Sequence, residues 1–448
     1  MIGARIEALS SNAFARFVRG LVLRISLGGW FEIYDLFMAA YISLGLVREG
    51  LFTATGTGLA AFASFVGAGF LGMFVGTLVF SWVSDRFGRR ATFLWSLVFY
   101  SVMTALMAFA GSASAIEACR LLAGVGIGVQ IITIDAYVSE IAPARDRGRL
   151  IAFSQFVSFT AVPVVALAAF LFVPHVVFGL AGWRIVALIG ALGALIAWPI
   201  RSGLPESPRW LESRGRAAEA DRVLARFDGA VDFSQPSPPV GAVGCSRPSW
   251  SELWRRPYAA RTAMLVVFNA LQPIGYYGFV NWVPLLLARE GVAFVRDLQY
   301  ALIIAIANPF GPLIAMAAAE AAQRKWQIVW LAVAIAGLGL AFAGLRAPFA
   351  IVGIGSLITL AINWFSSAFH AYQAELFPTR IRAIAVGFVY SWSRLCSIFV
   401  SYWIALALVR YGVNGVFALI AGSMVLAAAV IAAVGPRTNR VAVEALAP

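Results

Sequence analysis

Apolar runs about 20 residues long recur from residue 21 to residue 434, and no other feature limits the fold so tightly. A helix of that length crosses the roughly 30 Å hydrocarbon core of a bilayer. In lipid no water satisfies backbone N–H and C=O groups, so a spanning segment is a helix or part of a closed barrel. Runs this long and continuous read as helices. Twelve are expected, at 24–47, 58–82, 91–110, 115–138, 150–172, 181–200, 261–288, 298–319, 326–345, 348–370, 383–408 and 413–434. Composition agrees: 61% of the 448 residues are hydrophobic and 12% charged, against about 25% charged in a soluble domain. The expected fold class is an all-α membrane protein with twelve transmembrane helices.

A net charge of +13 would suit nucleic-acid binding, but its placement does not. On this assignment 26 of the 34 Lys and Arg fall in the two termini and the even-numbered loops. Arg48, Arg184, Arg289, Arg296, Arg346 and Arg410 fall in odd loops, and Arg120 and Arg394 inside spans. Basic loops stay cytoplasmic. Both termini and the central loop are therefore expected on that side of the inner (plasma) membrane, with the lipid bilayer as partner and no nucleic acid. The first apolar run follows Arg16, Arg19 and Arg24, is too long for a signal-peptide core and lacks a small-residue cleavage site, so no signal peptide is expected. Cys119, Cys245 and Cys396 are scattered and there are two histidines, so no disulfide framework, metal site or cofactor is expected. No nucleophile–base or metal constellation marks an enzyme.

The chain repeats itself. "SEIAPARDRGRL" (139–150) and "AELFPTRIRAIA" (374–385) align Glu140 with Glu375, Pro143 with Pro378, Arg145 with Arg380 and Arg147 with Arg382, always 235 residues apart. The same offset sets Asp85 against Glu320. Two six-helix bundles follow, 1–200 and 261–448, joined by a cytoplasmic loop at 201–260. Repeats of this kind commonly frame a substrate site near the bilayer midplane. Within the loop, "PESPRWLESRGRAAEADRVLARF" (205–227) reads as one amphipathic helix. Ser207 would be its N-cap, Pro208 its first residue, and Glu212–Arg216 an i,i+4 pair. Residues 228–249, rich in Pro, Gly and Ser, read as a flexible linker.

Glu32 and Asp35 interrupt the apolar run "GGWFEIYDLFMAAYIS" (28–43) of the first span. Three apart, they share a helix face. A charge at a helix centre costs at least about 2.5–3.5 kcal/mol on insertion scales, so such a residue normally faces the bundle interior beside a partner. Arg120 of the fourth span is the best partner for Asp35. While the guanidinium holds it, Asp35 stays ionised; when the guanidinium leaves, desolvation favours the protonated form. That exchange is a proton-coupling device, with Glu32 able to share or take the role. A structural ion pair in a uniporter is the plainer alternative. Gly124, Gly126 and Gly128 of the same span are expected to let another helix approach closely. Asp135 is expected to pair with loop arginines.

"SDRFGRR" (84–90), "SEIAPARDRGR" (139–149), "LPESPRWL" (204–211) and "ELFPTRIRA" (375–383) resemble the signature loops of the major facilitator superfamily, in particular its sugar-porter and metabolite:proton symporter branches. The resemblance implies a twelve-helix transporter working by alternating access. It implies a cytoplasmic gate of ion pairs and helix-end contacts drawn from Asp85, Arg86, Gly88, Arg89, Arg90, Glu140, Arg145, Arg147, Glu206, Arg209, Glu320, Glu375, Arg380 and Arg382. Ser81 stands where the family motif usually opens with Gly. In the sugar-porter pattern a Tyr-Asp of span one faces an Arg of span four, which Tyr34-Asp35 and Arg120 match.

The cargo is read from polar side chains inside spans. Gln155 matches a sugar-porter glutamine. Gln272 and Gly275 fit the span-seven pattern, but Tyr277, next to Tyr276, stands where Asn is expected. Asn269, Asn281, Asn308 and Asn363 remain as polar contacts or as interhelical hydrogen bonds. Arg394 in "YSWSRLCSIF" (390–399) has no acidic neighbour on its own span. It suits a carboxylate, which a guanidinium holds bidentately, with Tyr390 and Trp392 available to stack on a ring. Pairing with Glu32 is the rival reading. The expectation is a monomeric secondary transporter importing a small polar metabolite with a proton, an organic acid ahead of a sugar or polyol. A sugar uniporter and a proton-driven exporter use the same parts. A nutrient sensor is disfavoured by a C-terminal tail of about 14 residues.

Overall fold

The computed structural model describes residues 12–52, 56–141, 147–202, 206, 211, 215–228, 250–289, 294–318, 323–345, 347–377 and 379–438. Helices dominate: α1 (Asn12–Arg48), α2 (Gly56–Phe87), α3 (Arg89–Phe109), α4 (Ala113–Ile141), α5 (Arg147–Phe159), α6 (Ala161–Phe172), α7 (Gly182–Ala191) and α8 (Gly193–Ser202) in the first part of the chain. After α9 (Ala217–Asp228) come α10 (Tyr258–Val280), α11 (Val283–Arg289), α12 (Phe294–Ala305), α13 (Phe310–Ala318), α14 (Arg324–Ala343), α15 (Pro348–Glu375) and α16 (Thr379–Val434). One antiparallel pair of two-residue strands, Val176–Val177 with Leu180–Ala181, turns the chain from α6 into α7.

Among the described residues, nine helical stretches are long and apolar enough to cross a membrane. The last holds 51 residues. Gly412 breaks it, with φ 66° and ψ −161°, a conformation that glycine alone adopts without strain. Where a sixth span is expected, the chain forms two ten-residue helices, α7 and α8, that meet at Leu192.

Packing follows the small residues. Helices α2 and α4 approach so closely that a Cβ on Gly72 would lie 2.0 Å from the Leu121 carbonyl oxygen, and one on Gly124 2.3 Å from that of Gly69. Gly76 and Gly128 repeat the contact one turn on. Gly126 instead admits α3, its absent Cβ lying 2.9 Å from the Ser96 carbonyl oxygen. Without a hydrophobic drive between helices in lipid, such backbone-to-backbone contact supplies the dispersion energy that holds them. Helix α1 packs on α4 to α8, and α10 and α14 pack on α16. The two groups meet where α2 touches α16, α5 touches α13, α6 touches α12, and α11 touches α1.

The central loop differs from expectation. Gly215 has φ 73°, and helix α9 begins only at Ala217, so 205–227 is not one continuous helix. Arg216 sits outside that helix and pairs with Glu219 at 2.6 Å, three residues ahead; the expected pair with Glu212 lies outside the described residues. The guanidinium holds the exposed Glu219 carboxyl below its ordinary range. Glu212 and residues 229–249 lie outside the described residues.

Candidate functional site

Asp35 is completely buried in α1 and Arg120 is 3% exposed in α4. Their ion pair, Arg120 Nη1 to Asp35 Oδ2, measures 2.6 Å. Arg120 Nη2 donates to the Asp35 carbonyl oxygen at 3.1 Å, and the Thr104 hydroxyl of α3 donates to Asp35 Oδ1 at 2.9 Å. The guanidinium lies 5.7 Å from the centre of the Phe65 ring. Gly69 leaves it room, since a Cβ there would stand 3.0 Å from Arg120 Nε. Three helices thus converge on one carboxylate. Its charge is neutralised by the guanidinium, and both oxygens accept hydrogen bonds. The 235-residue offset puts Gly355 opposite Arg120. A Cβ at Gly355 would meet the Ile304 Cδ1 at 2.6 Å, so the second repeat carries a small residue packed against Ile304 where the first carries a cation.

Sequence reasoning missed Thr104, because threonines abound in apolar helices and nothing in the sequence says which one faces an acid. Thr104→Val should leave Asp35 Oδ1 short of its donor and destabilise the protein by about 1–3 kcal/mol. The check is a melting curve in detergent. Thr104→Ser, which keeps the hydroxyl, should recover most of the loss.

Tyr34 is committed elsewhere: its hydroxyl donates to the Val186 carbonyl oxygen at 3.0 Å, and its ring stacks on Trp30 at 5.8 Å. Glu32 is buried one turn before Asp35. It is an electrostatic neighbour of Arg394.

A second cation organises the other side. Arg394 of α16 is 4% exposed. Its Nη1 donates to the Tyr277 hydroxyl and its Nη2 to that of Tyr390, both at 2.9 Å. Among the described residues it forms no ion pair with a carboxylate. Tyr276 packs edge-on against Tyr277 at 4.9 Å, and Phe70 of α2 reaches Tyr277 at 4.5 Å. The Tyr276 hydroxyl approaches Asn363 Oδ1 at 3.4 Å, and Asn363 Nδ2 donates to Asn308 Oδ1 at 3.0 Å. Gln272 donates to Ser393 at 3.0 Å. Gln155 of α5 accepts from Ser367 of α15 at 2.8 Å. Asn269 donates to the Leu265 carbonyl oxygen at 2.9 Å. Asn281 is buried at the end of α10, and Trp392 is half-buried. The structure therefore gathers Tyr276, Tyr277, Tyr390, Arg394 and Asn363 into one cluster, while Asn269 is spent on its own helix. An open groove of about 530 Å³ beside α13, lined by Ile303, Ile306, Phe310, Ile314 and Leu360, is apolar and holds no charge for a metabolite.

A family model described as "Sugar (and other) transporter" matches residues 21–447. The chain belongs to the sugar transporter family. YdjK of Escherichia coli K12, named as a candidate metabolite transport protein, is 30% identical over 90% of this chain and 89% of its own. The niacin transporter NiaP of Acinetobacter baylyi is 28% identical over 99% of both. The Escherichia coli xylose transporter XylE, solved in a partially occluded inward-open conformation, superposes with a TM-score of 0.74 at 20% identity, covering 94% of this chain and 99% of XylE. The fold is that of the major facilitator superfamily, and members of the family are membrane transporters, not enzymes.

The family's loop motifs are placed only in part. Gly88 precedes α3 with φ 102°. Glu206 accepts the backbone N–H of Arg90 on both carboxylate oxygens at 3.2 Å. Glu375, at the end of α15, pairs with Arg324, which opens α14 and which sequence reasoning did not single out. The repeat offset equates Arg324 and Glu375 with Arg89 and Glu140. Asp85, Arg86, Arg89, Asp135, Glu140, Arg147, Arg380 and Arg382 lie in helices, but their side chains are outside the described residues; Arg145, Arg209 and Glu320 lie outside them altogether.

Proposed function

We propose that the protein is a proton-coupled importer of a small organic acid, working by alternating access in the inner membrane. Twelve spans in two six-helix bundles, with both termini cytoplasmic, are the topology this reading adopts. The buried Asp35–Arg120 pair at 2.6 Å carries it. Breaking such a pair by removing one partner costs about 3–5 kcal/mol. The pair therefore separates only when something compensates, and a proton delivered to Asp35 does. Arg394 offers a second buried cation for the cargo's carboxylate, and NiaP is named for a substrate that carries one. Arg90, Glu206, Arg324 and Glu375 are assigned to the cytoplasmic gate, where partly exposed contacts break and re-form at low cost.

One observation favours a sugar or polyol instead. Gln155 and Ser367 face each other at 2.8 Å between α5 and α15, and the superposed XylE structures are of a xylose:proton symporter. Reconstitution separates the readings. Proteoliposomes with an acidic exterior should accumulate a labelled monocarboxylate and not D-xylose; xylose accumulation alone would overturn the organic-acid assignment. Collapse of the proton gradient should abolish accumulation in either case.

A further inference from the structure

We infer that the hairpin between α6 and α7 is an interfacial anchor, with Phe178 and Val176 seated in the headgroup layer of the phospholipid bilayer. The membrane setting this needs is that of the family, and neither reading of the cargo enters.

Two local preferences are broken at Phe178. It has φ 53°, and among the described residues no other non-glycine lies in that region. A bulky side chain is a rare occupant there, because its Cβ crowds the following carbonyl oxygen. Phe178 is also 97% exposed. With Gly179, at φ 78°, it forms the two-residue loop that joins Val176–Val177 to Leu180–Ala181. Positive φ at both loop positions suits the twist of the strands, and Asn-Gly is a favoured pair for it. In water Asn would serve better than Phe on both counts. Phe serves better only where the turn meets an apolar surrounding.

The hairpin is placed to meet one. Leu167 and Leu171, four apart on α6, are exposed, and on a membrane helix such a stripe faces lipid. Val176, 74% exposed, extends that apolar surface past the end of the helix. The root of the hairpin is polar and tightly fixed. His175 N–H donates to the Phe172 carbonyl oxygen at 2.9 Å and Gly182 N–H to that of His175 at 3.0 Å. A Cβ on Gly182 would stand 1.7 Å from the Phe172 carbonyl oxygen. Arg48 donates to the Pro174 carbonyl oxygen at 2.6 Å. A cation at the root and an apolar tip beyond it are the division of groups that a bilayer interface selects. Arg184, in the first turn of α7, donates to the carbonyl oxygens of Ala108 and Ala110 where α3 ends, both at 2.8 Å. The hairpin therefore stands at the membrane face opposite Arg90, near the start of α3.

The second repeat has a counterpart. The 235-residue offset sets Val176 against Tyr411 and Val177 against Gly412. Tyr411 is exposed beside the positive φ of Gly412, and exposed Leu406 and Val409 lead to it along α16. Each bundle thus carries an exposed ring at the corresponding turn, and tyrosine is enriched where membrane meets water.

A nitroxide at position 176 tests this in proteoliposomes of phosphatidylethanolamine and phosphatidylglycerol. Cys119, Cys245 and Cys396 are replaced by serine, Val176→Cys carries the label, and Phe178 is left in place. Oxygen relaxes a label in lipid, and a water-soluble nickel chelate relaxes one in water. The label should lie about 5–10 Å below the lipid phosphates. Its oxygen-to-chelate ratio should approach that of a label at Leu171→Cys and exceed that at Ala218→Cys, an exposed position on α9. Phe178→Asp should bring position 176 to the Ala218→Cys value. Phe178→Trp needs no cysteine replacement: brominated lipid should quench the emission it adds to that of the 14 native tryptophans. Free access of the chelate to position 176 overturns the inference, since the hairpin then stands in water. Protection from oxygen and chelate alike overturns it as well, because a protein surface then covers the hairpin. An unchanged depth in Phe178→Asp overturns the anchoring role of Phe178.

Discussion

Asp35→Asn is expected to abolish uphill uptake while leaving exchange of labelled for unlabelled substrate intact. The asparagine fills the same volume; its single oxygen can still accept from Arg120 where the 2.6 Å contact now lies, and its NH2 then donates to the Thr104 hydroxyl oxygen, which now donates to Asp35. What it lacks is a site for a proton. One unit of pH difference is worth about 1.4 kcal/mol per proton, or about tenfold accumulation of a singly coupled substrate. The unaltered protein should reach that ratio in proteoliposomes, and the variant should stop at one. The signature is the split between the two assays. Loss of both would mean that Asp35 holds the fold together and says nothing of protons; loss of neither would move the coupling to Glu32 or remove it. Arg120→Ala should behave differently, because it leaves Asp35 buried without its cation and costs about 3–5 kcal/mol of stability.

Arg394→Gln is expected to cut affinity for a carboxylate substrate by at least about a hundredfold, the lower range for removing one partner of a buried charged contact. Glutamine keeps a hydrogen-bond donor but neither the fork nor the charge. Arg394→Lys should recover little, because an ammonium cannot address two acceptors in one plane. Thermal shift with ligand reads the effect directly, since binding raises apparent stability by mass action. The unliganded melting point serves as the control for folding. If affinity survives in a folded Arg394→Gln protein, the substrate's charge is held elsewhere.

Much of this was legible in the chain because charge in hydrocarbon is so costly. Asp35 and Arg120 interrupt apolar runs, and each needs the other; the partnership follows from the expense of either alone. The glycines of α4 were legible for a similar reason, although sequence could not tell that Gly124 and Gly128 serve α2 while Gly126 serves α3. Arg394 stood out as a buried cation, and Tyr277 and Tyr390 stood among the candidate residues, but as ring surfaces or family positions and not as the hydroxyls its guanidinium meets. Thr104 was silent because its contact with Asp35 depends on which way a helix face turns. Gly215 shows the opposite failure: the pattern of residues 205–227 is helical in periodicity, yet one residue with φ 73° divides it.

The seam between α2 and α4 has a mechanical consequence. With Gly72 and Gly124 set backbone against backbone, neither helix can slide along the other without steric collision. Arg120 sits one residue before Leu121, whose carbonyl forms part of that seam, so the guanidinium is mounted on a stiff two-helix beam. Whatever parts it from Asp35 is then a swing of its own flexible stem or a tilt of α1, and not a slide of α4 along α2.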